Sequence, residues 1–362
     1  MKYGQRHMRG APMVWRNLAM TFSILFFVAI FIVGATFLSS TQEKDARTVM
    51  ELAQNGAFEN AKSGYYYIGW LSSILPNLVQ QLIVFVLGIC FIYRLFRDLR
   101  SLPMALLAAL LVVSPILMFL TLFVKDTSVT LLVLLVLMIL RSRLALLVRL
   151  ILSLMIYIGY GAFFREYYLA IALVFALLVV ILATPYPWRI LYIPAIGGAL
   201  YKMPPVIFSL LEGSRDIINN SRVGHNMAGA RTAFLNFVPP NNVINFLIDY
   251  LYAAMRLNLA PFFNFGIKEV FLSLNILVFL ALIFIGVRVR DDRIRLPTML
   301  YLSHFLVSVL FEPDLGSYLR HSCSVMLYLV PAMAFLDRKF LSIGISAAQS
   351  RLRAMALMGI RS

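Results

Sequence analysis

The strongest constraint on this chain is a series of apolar runs, at residues 18–38, 67–93, 101–123, 128–140, 144–164, 167–184, 190–211, 269–287, 296–309 and 323–336. A helix needs about 20 predominantly apolar residues to cross a bilayer. Inside the hydrocarbon, every backbone N–H and C=O must find its partner within the protein, and helices meet that demand. The predicted fold is all-α: a polytopic transmembrane bundle of about ten spans, forming one integral membrane domain over residues 1–362. Composition agrees. Hydrophobic residues make up 61% of the 362 and charged residues 13%, about half the charged share of a soluble domain. No small-residue cleavage site closes the first run, which reads as an uncleaved span. Cys90 and Cys323 both fall in apolar runs and read as small buried hydrophobes rather than a disulfide.

Pro76 interrupts the second run and predicts a kink. Gly197, Gly198 and Pro204-Pro205 predict a broken helix in the seventh. Between the spans, residues 39–65 read as a small outer loop and 212–265 as the large outer segment, with 243–259 read as an interfacial helix and a further span as the alternative. Residues 340–362 read as a basic tail on the inner surface. Charge sets the orientation. Lys2, Arg6, Arg9, Arg16, Arg94, Arg97, Arg100, Arg141, Arg143, Arg149, Arg189, the 288–295 segment, Arg338, Lys339 and the tail all fall on one side. That side is predicted to be cytoplasmic, with both termini on it. The net charge of +16 then reads as a topology signal. No aromatic-basic platform accompanies it, so no nucleic-acid partner is expected.

The segment Phe311-Glu312-Pro313-Asp314-Leu315-Gly316-Ser317-Tyr318-Leu319-Arg320-His321 lies between the two shortened runs 296–309 and 323–336. Part of it must sit at membrane depth, where charges are costly unless they line a cavity or pair. Three further features open toward the same outer face: Lys125-Asp126, Arg165-Glu166-Tyr167-Tyr168 and the 212–265 segment. The last supplies Arg215, Arg222, His225 and Arg231, with Asn219, Asn220 and Asn236 as neutral hydrogen-bonding groups. The positive-inside bias gives no reason for arginines there. Arginine matches phosphate oxygens in bidentate geometry, and an anionic lipid head group supplies a reason.

The available chemistry is narrow. The chain has no His-Glu-x-x-His, no cysteine cluster and no Walker loop, and its four histidines are scattered. No metal site and no cofactor are expected. Glycosyl transfer from a lipid pyrophosphate needs a cationic clamp for the leaving group and a base near the acceptor hydroxyl. The candidates for the clamp are Arg165, Arg320, Arg215, Arg231 and Lys125. Glu312 leads the candidates for the base, followed by Asp314, Glu166 and His321. Tyr167, Tyr168, Asn220, Tyr318 and Arg222 are candidates for holding sugar. His304 reads as a packed or hydrogen-bonded intramembrane histidine.

The words Val124-Lys125-Asp126-Thr127, Phe164-Arg165-Glu166-Tyr167-Tyr168 and Glu312-Pro313-Asp314 with Arg320-His321, set among many spans and one large outer segment, resemble the Wzy-type polysaccharide polymerases, including the EpsG-like branch. The resemblance implies a fold similar to the GT-C glycosyltransferases and O-antigen ligases, in a bacterial inner membrane. It implies transfer of a growing glycan from undecaprenyl pyrophosphate onto a new lipid-linked repeat unit at the periplasmic face. The partners it implies are lipid-linked glycans, membrane lipids, and a chain-length regulator and flippase of the same pathway. The second large outer loop of many O-antigen polymerases is absent here. The alternative is a transporter or flippase for a lipid-linked or anionic solute, which would show paired helix breaks in two halves. The orientation is testable by cysteine labelling from outside intact cells. Label is expected at position 220 and not at position 100, and the opposite pattern overturns it.

Overall fold

The computed structural model describes residues 11–33, 40–55, 63–224 and 232–342. Within these all regular structure is helical, with no strand. The helices are α1 (Ala11–Val33), α2 (Ser40–Asn55), α3 (Ser63–Ile74), α4 (Asn77–Phe96), α5 (Leu102–Met118), α6 (Lys125–Arg141), α7 (Leu146–Phe163) and α8 (Tyr167–Ala183). After a single turn come α9 (Tyr192–Tyr201), α10 (Pro205–Gly224), α11 (Val243–Asn258), α12 (Ile267–Gly286), α13 (Asp292–Phe311), α14 (Leu315–Ser324) and α15 (Met326–Ser342). Five of the described helices are long and apolar enough to cross a membrane, and up to seven spans result if each bent pair counts as one. Two shorter helices, α5 and α8, are also apolar. This is a bundle of the multi-pass membrane type. Its outer faces carry exposed Phe22, Leu131, Met138, Met155 and Leu173, as a surface against lipid requires.

The centre is α13. Of its apolar window 72% is buried, and it packs against α6, α8, α10, α11, α12, α14 and α15. Its polar residues meet the backbone rule within the helix: Thr298 Oγ1 donates to Ile294 O at 2.8 Å and Ser303 Oγ to Met299 O at 2.9 Å. Small residues let its neighbours close in, as is usual where packing replaces the hydrophobic effect. A Cβ at Gly286 of α12 would lie 2.3 Å from Thr298 Oγ1 and 3.0 Å from the Ala332 Cβ of α15.

The predicted breaks have visible causes. The second run does not continue through Pro76: α3 ends at Ile74 and α4 begins at Asn77. Gln80 stitches the break, donating to Ser72 O at 2.9 Å and Leu75 O at 2.8 Å while accepting from Ser72 Oγ. The seventh run splits into two helices bent by 94°, and the final run is bent by 59° between α14 and α15. Residues 39–65, expected as a loop, carry α2 and the start of α3. A helix is present where one was expected over 243–259: α11, started by Asn242, whose Oδ1 accepts from the Ile244 and Asn245 amides at 3.0 Å. Ile244, Leu247, Ile248, Leu251 and Met255 lie exposed along it. Most of the tail 340–362 lies outside the described residues.

One end of the bundle is closed by acids. Asp337 is fully buried and accepts from the Arg100 amide at 2.6 Å and the Ser101 amide at 3.0 Å. Nearby, Asp98 accepts from Arg141 Nη1 at 2.6 Å. Helix α6 runs from Arg141 at this end to Asp126 at the other, about 25 Å at 1.5 Å per residue. Hydrogen bonds to a charged group contribute about 1.5–3 kcal/mol each. Asp337→Ala should therefore lower stability by about 2–4 kcal/mol, measured by unfolding in detergent, with Asp337→Asn intermediate.

Candidate functional site

Three turns meet at the end of the bundle opposite Asp337. The first starts α6. Thr127 Oγ1 accepts from the Val124 amide at 3.1 Å and donates to Leu122 O at 3.1 Å, which fixes the first turn and places Asp126 where the helix dipole favours negative charge. Asp126 is 0% exposed. The second is the α7–α8 turn. Gly161 makes it tight, since a Cβ there would lie 2.8 Å from Leu169 Cδ2, and Tyr160 stacks on Phe164 at 4.9 Å. Arg165 sits at its apex. The third is the α13–α14 turn, where Asp314 Oδ1 caps α14 by accepting from the Ser317 amide at 2.9 Å. The capped helix turns Arg320 and His321 back toward the first two turns.

The charges converge on Asp126. Arg165 Nη2 donates to its Oδ1 at 2.9 Å, and Arg320 Nε lies 3.1 Å from Oδ2. The second contact is an ion pair without hydrogen-bond alignment. Both arginines are 8% exposed, so they stand between the sealed carboxylate and the outside. Arg165 Nη1 also donates to the Tyr167 hydroxyl at 2.9 Å and lies 3.3 Å from His321 Nε2. Guanidinium only donates, so Nε2 is the acceptor in that contact, and the ring proton is on Nδ1. Nδ1 is hydrogen-bonded to Glu312 Oε1, and Ser317 Oγ donates to Glu312 Oε2 at 2.5 Å. Lys125 borders the cluster and donates to the Tyr65 hydroxyl at 2.8 Å.

Of the residues predicted from sequence, Arg165, Arg320, Glu312, His321, Lys125 and Tyr167 are brought together. Asp314 is engaged as the α14 cap. Glu166 is exposed at the start of α8. Tyr168 is 2% exposed and packs against Tyr157, Tyr160 and His304. Tyr318 is fully buried, its hydroxyl donating to Asn258 Oδ1 at 3.3 Å. His304 is hydrogen-bonded as expected, 2.7 Å from the Tyr157 hydroxyl. Asn220 is exposed on α10. Arg231, His225 and the side chain of Arg222 lie outside the described residues.

Arg215 belongs to a second cluster. It is fully buried, donates to Asn236 Oδ1 at 2.6 Å and lies 3.4 Å from Glu212. Asn236 Nδ2 in turn donates to Glu212 and Asp216 at 3.0 and 2.8 Å. Asp249 of α11 holds the adjoining loop by accepting from the Phe237 and Val238 amides. Among the described residues this cluster is linked to the first through α13, where Arg215 Nη1 reaches Val309 O at 3.5 Å, and through the Thr232 hydroxyl, which accepts from the Leu315 amide at 3.2 Å.

Sequence reasoning named Lys125 as the functional member of its pair and gave Asp126 and Ser317 no role; Asn236 it offered only as a general hydrogen-bonding group. A signal for Asp126 was present: an acid in the first turn of an apolar helix, in a chain with only 16 Asp and Glu. Among the described residues, no three His, Cys, Asp or Glu side chains converge to hold a metal ion. No family model, curated protein or solved structure matches the chain.

Removing one partner of a buried ion pair costs about 3–5 kcal/mol, because it leaves an uncompensated charge. Asp126→Ala should destabilise the protein by that order, measured by unfolding in detergent. The double variant Asp126→Ala/Arg320→Met should be less destabilised than the two single changes sum to. Additive losses would show that Arg320 and Asp126 do not share a charge balance.

Proposed function

We propose that this protein polymerises lipid-linked oligosaccharide repeat units, transferring a growing glycan from undecaprenyl pyrophosphate onto a new lipid-linked unit. The observation that carries this reading is the pair of guanidinium groups on one sealed carboxylate, directly beside a histidine–glutamate pair. A pyrophosphate clamp and a proton acceptor are the two things such a transfer asks of a protein. In this reading the chain crosses a bacterial inner membrane about ten times, with both termini cytoplasmic and the Asp126 end facing the periplasm. The apolar runs and the sidedness of the basic residues support it. So does the resemblance to Wzy-type polymerases, from which the lipid-linked partners, chain-length regulator and flippase are taken.

The acceptor hydroxyl attacks the anomeric carbon of the donor glycan. The bond from that carbon to the pyrophosphate oxygen breaks, and undecaprenyl pyrophosphate leaves with the electron pair. Arg165 and Arg320, already oriented by Asp126, meet the charge that develops on the leaving oxygens. The hydroxyl proton passes to His321 Nε2. Glu312 stood first as the base on sequence grounds, but both its oxygens are taken, by His321 Nδ1 and Ser317 Oγ. It serves better as the group that fixes the histidine tautomer and balances the imidazolium that forms. In the resting site Arg165 occupies Nε2; a diphosphate that attracts Arg165 frees that nitrogen for the acceptor.

A second reading, transport of the lipid-linked unit, draws on the two bent helix pairs, one at 94° and one at 59°, because discontinuous helices mark many transporter sites. Reconstitution with purified lipid-linked repeat units separates the two. Polymerisation gives glycans longer than one unit and releases undecaprenyl pyrophosphate, and growth is expected to persist with chelator. His321→Ala should slow it by about 10²-fold or more, the usual worth of a positioned base. Arg165→Lys should also impair it, since Lys lacks the forked geometry. Intact monomers moved across the bilayer with no lengthening would overturn the polymerase in favour of the transporter.

A further inference from the structure

The α2–α3 hairpin adds a feature that the charge centre does not use. Its two helices pack mainly on each other, and the first turn of α3 is seated on the site. Gly64 makes this possible: a Cβ there would lie 2.9 Å from Phe164 O and 3.8 Å from Arg165 Cγ. The next residue, Tyr65, accepts a hydrogen bond from Lys125 Nζ at 2.8 Å, with the ammonium 4.4 Å from its ring centroid. Tyr67 packs on Phe164 at 5.1 Å, and Tyr66 stands edge-on to Tyr67 at 5.1 Å. Tyr65 and Tyr66 are half-buried. The hairpin thus sets an aromatic edge beside the Arg165 turn, held to Lys125, the chain neighbour of Asp126.

We propose that Tyr65 and Lys125 form the subsite for the sugar joined directly to the pyrophosphate of the lipid-linked substrate. This rests on the lipid-pyrophosphate reading above and adds the part of the ligand the hairpin takes. Gly64 brings the start of α3 against Arg165, so a sugar on a diphosphate held by Arg165 would face the side chain that follows, Tyr65. A tyrosine suits it, with an apolar face for the C–H side of a pyranose and a polar tip for its hydroxyls. Tyr167, also close, stacks on Phe311 at 5.8 Å and receives the Arg165 hydrogen bond; Tyr65 likewise receives one from Lys125, so Tyr65 and Lys125 act on a sugar as a joined pair. Lys125 reaches the same space from the α6 side, its ammonium carrying three donors, able to serve a sugar hydroxyl or a phosphate oxygen.

The test compares two probes on the full-length protein in nanodiscs: undecaprenyl pyrophosphate, and undecaprenyl pyrophosphate bearing a single glucose, galactose or N-acetylglucosamine. Wild type should bind at least one sugar-bearing probe more tightly than the bare carrier. Tyr65→Ala should weaken that sugar-bearing probe roughly three- to tenfold, the scale of one aromatic stacking contact, and leave the bare carrier within about twofold. Tyr65→Trp should restore sugar binding and Tyr65→Phe should retain most of it, which a general loss of folding would not allow. Equal weakening of both probes by Tyr65→Ala, or an unchanged preference for sugar, overturns the subsite. Wild type that binds neither probe overturns the lipid-pyrophosphate reading itself, and the subsite with it.

Discussion

A carboxylate with no access to water, facing two guanidinium groups, is the constraint on which this end of the molecule depends. Asp126 cannot be solvated, so its charge must be met by protein, and Arg165 and Arg320 come from different turns to meet it. Each arginine thereby loses the freedom to snorkel outward, and each holds a neighbour in place. Arg165 fixes Tyr167 and faces His321. Arg320 fixes α14, which also carries His321 and Ser317 onto Glu312. Two cations and two carboxylates nearly cancel, with Lys125 adjoining. The low dielectric that makes isolated charges costly makes such a satisfied cluster rigid, and a rigid pair of arginines suits a leaving group whose charge grows during reaction.

The rest of the fold keeps the three turns in register. Helix α13 is the shared partner of α6, α8 and α14, the helices that begin at those turns. Its Thr298 and Ser303 are bonded within the helix, and its His304 to Tyr157 of the buried Tyr157–Tyr328 pair. At the far end Asp337 ties α15 to the α4–α5 turn. A helix of α6's length therefore stands between two buried acids, one closing a lock at one end of the bundle and the other ordering the charge cluster at the opposite end. The Arg215 cluster repeats the same logic further along the chain, where it joins α10, the loop around Asn236 and α11.

Much of this was legible in the sequence. Apolar runs interrupted by charged words dictate a helical bundle, and run parity places Lys125-Asp126, Arg165 and the 312–321 segment at one end. The short flanking runs correctly imply that the last segment is recessed: Glu312 is 3% exposed and Arg320 8%. What was not legible depends on pairing in space. Sequence does not say that Asp126 gathers the arginines while Lys125 turns to Tyr65. Nor does it say that Arg215 is claimed by Glu212 and Asn236, or that Tyr168 and Tyr318 face the core rather than a ligand. The break at Pro76 was readable from proline, but its stitching by Gln80 was not. Helix α14 was hidden because an apolar count treats a charged, capped helix as a gap between spans.

The central claim is that Arg165 and Arg320, aligned by Asp126, receive the pyrophosphate of a lipid carrier. The most direct measurement is an experimental structure in a lipid nanodisc with undecaprenyl pyrophosphate bound. The account predicts diphosphate density in contact with both guanidinium groups, Asp126 still behind them, and Arg165 drawn away from His321 Nε2. Diphosphate seated elsewhere, with the Arg165–Asp126–Arg320 cluster unchanged, would contradict it.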